Sequence, residues 1–168
     1  MAKTKASETV TENIFRNFHG FNTFIEKSAI PKEYGFVSKK KSGNDGYPDF
    51  FKDENSFCII VEAKAEKHEE AKKEVQFYML NNTINKDSIG IAVSGQLERD
   101  LMVTYYLCIK GTNVCSEISD CNELLPVSDI EKLYKKAKFK EITTEEHLSK
   151  TLNSLNKQFQ DEDIVRDT

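Results

Sequence analysis

GYPDFFKDENSFCIIVEAK, residues 46–64, sets a Pro48-Asp49 pair ahead of an apolar run that ends in Glu62-Ala63-Lys64. The run Phe57 to Val61 is rich in β-branched and aromatic residues and follows a polar stretch, Asp53 to Ser56, so it predicts a buried strand entered from a turn. Side chains alternate along a strand, which puts Ile60, Glu62 and Lys64 on one face. Two charges at the end of a buried strand are costly to desolvate unless something pairs with them. The Asp-Glu-Asn-Ser turn predicts a hairpin that folds Tyr47–Lys52 back onto Phe57–Lys64 and brings Asp49 beside Glu62. Two carboxylates and a lysine on one point are what a hydrolytic Mg2+ centre needs: hard oxygen ligands, open positions for water and phosphate, and a nearby cation. The structural alternative is a turn acid at Asp49 and a solvated strand end at Glu62 and Lys64.

Pro48-Asp49 followed by Glu62-Ala63-Lys64 resembles the core of the PD-(D/E)XK nuclease superfamily, found in many restriction endonucleases. The surroundings extend the likeness. Ser7 to Phe18 contains Glu12-Asn13, similar to the first-helix glutamate of these nucleases, and Ala71 to Leu80 (AKKEVQFYML) resembles the helix after the core. In restriction subunits that helix often carries Gln and Tyr at a wider spacing than Gln76 and Tyr78 have here. Ile89 to Gln96 (IGIAVSGQ) and Leu124-Leu125-Pro126 are similar to N-terminal nuclease domains of restriction-modification enzymes, of the type I R-subunit or type IIG kind.

The resemblance implies an α/β fold, a central mixed β-sheet flanked by α-helices, and a DNA endonuclease acting on double-stranded DNA. It implies that Asp49, Glu62 and the Ala63 carbonyl hold Mg2+, with Mn2+ able to substitute, that Lys64 is catalytic, and that Glu12 joins them. It also implies that such a domain precedes methyltransferase or motor domains and a target-recognition domain. The chain contains neither a GxxxxGK[ST] phosphate loop nor an NPPY-type methyltransferase motif. It is therefore expected to be an N-terminal cleavage module whose downstream domains are missing, or, as the alternative, a catalytically silent nuclease-fold docking module.

A chain of 168 residues suits one domain and can bury about two-thirds of its unfolded surface. Residues 1–158 are read as that domain and 159–168 as a charged tail or the start of a linker. The formal net charge is −4, so general affinity for DNA is expected to be weak. Lysines cluster at Lys39 to Lys41 and at Lys132, Lys135, Lys136, Lys138 and Lys140; each cluster is either a phosphate contact or a solvated face. With no apolar run of membrane-spanning length and no signal-peptide core, the chain is expected to be cytoplasmic and to have no membrane partner. Cys58 and Cys108 fall in apolar strands as ordinary reduced thiols, while Cys115 and Cys121 lack CxxC spacing; a zinc site of Cys108, Cys115, Cys121 and a histidine is not favoured.

Hydrophobic periodicity predicts helices at Ser7–Phe18, capped by Ser7, and at Phe21–Ser28. Strands are predicted at Gly35–Lys39, Tyr47–Lys52, Phe57–Lys64, Ser88–Ser94 and Leu101–Lys110. A helix from Glu66 to Asn81 makes a parallel crossover between the third and fourth. Later helices are expected at Asp129–Lys136 and Thr144–Phe159, the second with Leu148, Leu152 and Leu155 on a docking stripe. His68, amid Glu66, Lys67, Glu69 and Glu70, reads as a solvated residue at a helix start. Gln76 and Tyr78 share no helical face, so at most one points at the site.

Overall fold

A computed structural model describes residues 5–40, 46–119 and 121–144. Its elements are helix α1 (Glu8–His19), strands β1 (Ile25–Glu26), β2 (Phe50–Asp53) and β3 (Phe57–Lys64), helix α2 (His68–Leu80), and strands β4 (Asp87–Ser94), β5 (Met102–Cys108) and β6 (Ser116–Glu117). Residues 127–144 form a further helix, α3. The fold is α/β: a six-stranded mixed sheet in chain order β1 to β6, flanked by helices. Only the β3–β4 pair is parallel; the other neighbours are antiparallel.

Two apolar clusters cover the two faces of the sheet. Odd-numbered residues of β3, Phe57, Ile59, Val61 and Ala63, pack with Phe15 of α1 and with Ile130 and Tyr134 of α3. Cys58 and Ile60 point the other way, into a cluster with Phe51, Ala71, Val75, Tyr78 and Met79. β3 and β4 are thus buried on both faces, as a parallel pair under helices must be, and this is why both read as continuous apolar runs. Gly90 of β4 lies directly under the Met79 thioether, leaving no room for a Cβ, so α2 sits close against the centre of the sheet.

α1 starts where its cap predicts, with the Ser7 hydroxyl accepting from the Thr9 N–H at 3.2 Å. It stops at Gly20, whose φ of 92° only glycine adopts readily. The second helix predicted at Phe21–Ser28 does not form. Asn22 and Lys27 both have positive φ, a turn intervenes, and Phe24 goes into the core against Phe15 and Phe50; β1 and a short 3-10 turn at Lys27–Ala29 occupy the segment instead. The strand predicted at Gly35–Lys39 reduces to a single bridge residue, Val37, because Gly35 closes a 3-10 turn in the left-handed region. α3 is longer than the expected Asp129–Lys136. The predicted helix Thr144–Phe159, its leucine stripe and the tail at 159–168 lie outside the described residues, apart from Thr144. Among the described residues no helix is long and apolar enough to cross a membrane.

Candidate active site

The β2–β3 hairpin does what its turn chemistry predicts. Phe50 pairs with Val61 and Phe51 with Ile60, so one further step of that register sets Asp49 opposite Glu62. Phe51 and Ile60 belong to the cluster under α2. By alternation Asp49, Glu62 and Lys64 face the same side.

Asp49 is the group whose charge and proximity act most on Glu62 after burial. Glu62 is 1 % exposed. Burial first, and then the charge and nearness of Asp49, raise its carboxyl well above the ordinary glutamate range. A like charge beside a buried carboxyl disfavours its ionised form, so Asp49 adds to what burial already does to Glu62. Asp49 Oδ2 also accepts the Ala63 N–H at 2.8 Å. An extended residue sends its N–H and C=O to the same side of the strand, so the Ala63 carbonyl also leaves toward Asp49.

Lys64, two residues beyond Glu62 on the same face, is held by Glu74 of α2 at 3.0 Å and by Glu8 of α1 at 3.2 Å. Burial alone would lower its ammonium pKa, but the bonds and charges of Glu74 and Glu8 outweigh burial and raise it. Glu74 accepts a second lysine, Lys39, at 2.9 Å. Burial favours its neutral form, but the two lysines win and hold it ionised, below the usual range. Four residues on from Glu74, one helical turn along the same face, Tyr78 is buried, and burial followed by the charges of Glu62, Glu74 and Asp49 raises its phenol. Gln76 turns back to its own helix, donating to the Lys72 carbonyl at 3.0 Å. Of the two, Tyr78 is the residue at the site.

Glu12 is 3 % exposed, with both carboxylate oxygens accepting from Lys27 at 2.8 Å and one of them in a longer ion pair with Arg16, 3.8 Å away. Lys27 and Arg16 both feel the charge of Asp49 as well, though Arg16 is held chiefly by Glu26, which accepts from it at 2.6 and 3.0 Å. Lys27 itself has a φ of 50°, a conformation that costs a non-glycine residue about 1–3 kcal/mol.

His68 corrects the expectation of a solvated residue. It is buried between the Ser94 and Thr104 hydroxyls, 2.8 Å from each. Burial, then the nearby Lys72 charge, lowers its pKa and keeps it neutral. It fixes the start of α2 to β4 and β5. Of the lysine clusters, Lys39 enters the site through Glu74, whereas Lys132, Lys135 and Lys138 pair with Asp129, Glu131 and Asp87.

Two carboxyl groups, one of them buried, with a backbone carbonyl beside them are oxygen donors of the kind that a hard divalent cation takes. Among the described residues no three Asp, Glu, His or Cys side chains are grouped to hold one ion. Sequence reasoning named Lys39 only within a lysine cluster and missed Glu74, Glu8 and Lys27. The helical spacing of Glu74 and Tyr78 is the one local signal that pointed to any of them. No family model matches the chain, and neither do curated proteins or solved structures.

Proposed function

We propose that this chain is a Mg2+-dependent endonuclease domain that hydrolyses phosphodiester bonds of double-stranded DNA, the N-terminal cleavage module of a restriction-modification enzyme acting in the cytoplasm. The observation that carries this reading is the buried Glu62 carboxyl beside the partly exposed Asp49 carboxyl, with Lys64 next on the same face. A fold under no functional constraint has little reason to bury the Glu62 carboxyl at a strand end with a second acid beside it. Asp49, Glu62 and the Ala63 carbonyl would hold the cation, Mg2+ or Mn2+, which when bound polarises the phosphate and acidifies the attacking water. Lys64 donates to the water or to a phosphate oxygen and offsets the charge that grows there as one P–O bond forms and another breaks. To do so it exchanges Glu74 or Glu8 for substrate, while Lys39 remains to neutralise Glu74. Glu12 holds Lys27 at the margin, where its ammonium can meet phosphate. The net charge of −4 supports a division of labour in which methyltransferase or motor domains and a target-recognition domain supply DNA affinity and sequence choice.

One observation favours the alternative, a catalytically silent docking module: the Lys64 ammonium is already engaged by two carboxylates. Plasmid cleavage in Mg2+ and in Mn2+, by the parent and by Asp49→Ala, decides between them. Metal-dependent nicking that Asp49→Ala abolishes supports the nuclease. Absence of nicking together with absence of metal binding leaves the docking module.

A further inference from the structure

Two thiols face each other where the β5–β6 pairing runs out. The register sets Tyr106 opposite Glu117 and Leu107 opposite Ser116, so one more step puts Cys108 opposite Cys115. The Ile118 N–H donates to the Tyr105 carbonyl at 3.0 Å, which makes these two a hydrogen-bonded pair. Alternation then makes Leu107 and Ser116 another such pair, and leaves Cys108 and Cys115 in the non-hydrogen-bonded class, where Cα atoms approach to roughly 4.5 Å. Disulfides bridge Cα separations of about 4.4–6.8 Å, so a cross-strand bond fits here with little backbone movement.

The surroundings separate these two cysteines from the others. Cys108 and Cys115 lie in one apolar cluster with Tyr106 and Met79. The Cys115 thiol lies 3.9 Å from the Met79 sulfur and the Cys108 thiol 3.9 and 3.8 Å from the Ile109 and Thr112 carbonyls; the nearness of Cys115 lowers the Cys108 thiol to about 7 against the opposing effect of burial, while Cys108 and burial raise Cys115. Cys108 also lines an open cleft with Lys86, Lys110 and Asn113, which gives a small reagent a way in, and Cys115 is half-buried. Cys58 is fully buried, and burial pushes its thiol up to about 12. Cys121 contacts the Glu123 carbonyl instead, at 3.9 Å.

We propose that Cys108 and Cys115 are a reversible redox pair, oxidised by a hydroperoxide to a disulfide that closes the 109–114 loop. The Cys108 thiolate attacks one peroxide oxygen, the O–O bond breaks, and with a proton the leaving oxygen departs as water or alcohol, giving a sulfenic acid. The Cys115 sulfur then displaces the sulfenic oxygen, which leaves as water, and the S–S bond forms. The two thiols supply both electrons that reduce the peroxide, and two small thiols such as glutathione return the bridge to the reduced form. Cys108 pairs with Ser88, and Ser88 with Cys58 at the start of β3, whereas Glu62 and Lys64 lie at its end. The thiol pair is therefore at the opposite end of the sheet from the carboxylates, and its chemistry is independent of the nuclease reading.

The test is hydrogen peroxide treatment of the intact chain, followed by alkylation and peptide mass spectrometry. The expected product is a Cys108–Cys115 cross-link lacking two hydrogens, restored by dithiothreitol, with Cys58 and Cys121 still alkylated. Cys115→Ser should stop at a Cys108 sulfenic acid that dimedone traps. A Cys58→Ser/Cys121→Ser variant, which retains only the pair, should form the same cross-link as the parent. The proposal is overturned if Cys108 proceeds to sulfinic acid while Cys115 remains alkylatable, or if the bridge forms to Cys121 or between chains.

Discussion

Glu62 and Asp87 are both carboxylates buried in the same parallel strand pair, one at the end of β3 and the other at the start of β4, yet the protein treats them oppositely. Asp87 receives the Tyr134 hydroxyl at 2.6 Å, the Lys138 ammonium at 2.7 Å and the Lys110 N–H at 2.8 Å. Burial would favour its neutral form, but these donors outweigh burial and keep it ionised, below the usual aspartate range. Glu62 is met by a second carboxylate, and its pKa moves up. Asp87 is an acid used as structure: it fastens α3 to the sheet and its hydrogen-bonding capacity is met. Glu62 is an acid left short of positive charge, which is the condition of a group waiting for a ligand.

The comparison breaks most visibly in catalysis. Asp49→Ala or Glu62→Ala is expected to abolish metal-dependent DNA cleavage, and with it metal binding, whereas Asp87→Ala should leave both intact in protein that remains folded. Lys64→Ala separates the remaining roles. Calorimetry should show metal affinity retained or improved after a nearby cation is lost, while cleavage falls by roughly a hundredfold or more.

In stability the order reverses. Asp87→Ala strands Tyr134 and Lys138 and should cost about 2 kcal/mol in urea unfolding. Glu62→Gln keeps the shape while removing the like-charge conflict. A carboxyl whose folded pKa is raised contributes stability below its unfolded pKa and loses it as pH rises through the folded value. The parent should therefore lose stability on going from acid to mildly alkaline pH by a margin that Glu62→Gln does not show. Thermal melts of both across that range check the sign: Glu62→Gln should be the more stable at the alkaline end and close to the parent at the acid end.

The two carboxylates also differ in how legible they are. The Glu62 end could be read in advance because its whole logic is local: a hairpin turn, a strand of fixed period and a two-residue offset from Glu62 to Lys64 fix three of the side chains. Its charge partners could not, since Lys27, Lys39 and Glu74 reach it only through tertiary placement of α2 and of the irregular stretch between α1 and β2. That stretch also defeated periodicity. Phe21–Ser28 has the spacing of a helix, but burying Phe24 against Phe15 and Phe50 outweighs local propensity. His68 was misread for the same reason: its sequence neighbours are charged, while the hydroxyls that satisfy it come from Ser94 and Thr104 on strands not yet formed. Asp87 gave no signal at all, because its donors are supplied by Tyr134 and Lys138, more than a full strand and helix later.

The most direct test of the carboxylate pair is calorimetric titration of the folded chain with Mg2+ or Mn2+, in buffers of differing ionisation enthalpy and at several pH values. Binding should occur at a single site, release a proton from the Asp49–Glu62 pair, tighten as pH rises toward the Glu62 pKa, and vanish in Asp49→Ala. Absence of binding by the parent, or binding that takes up no buffer-dependent heat and persists unchanged in Asp49→Ala, would contradict the assignment of these two residues as the cation site.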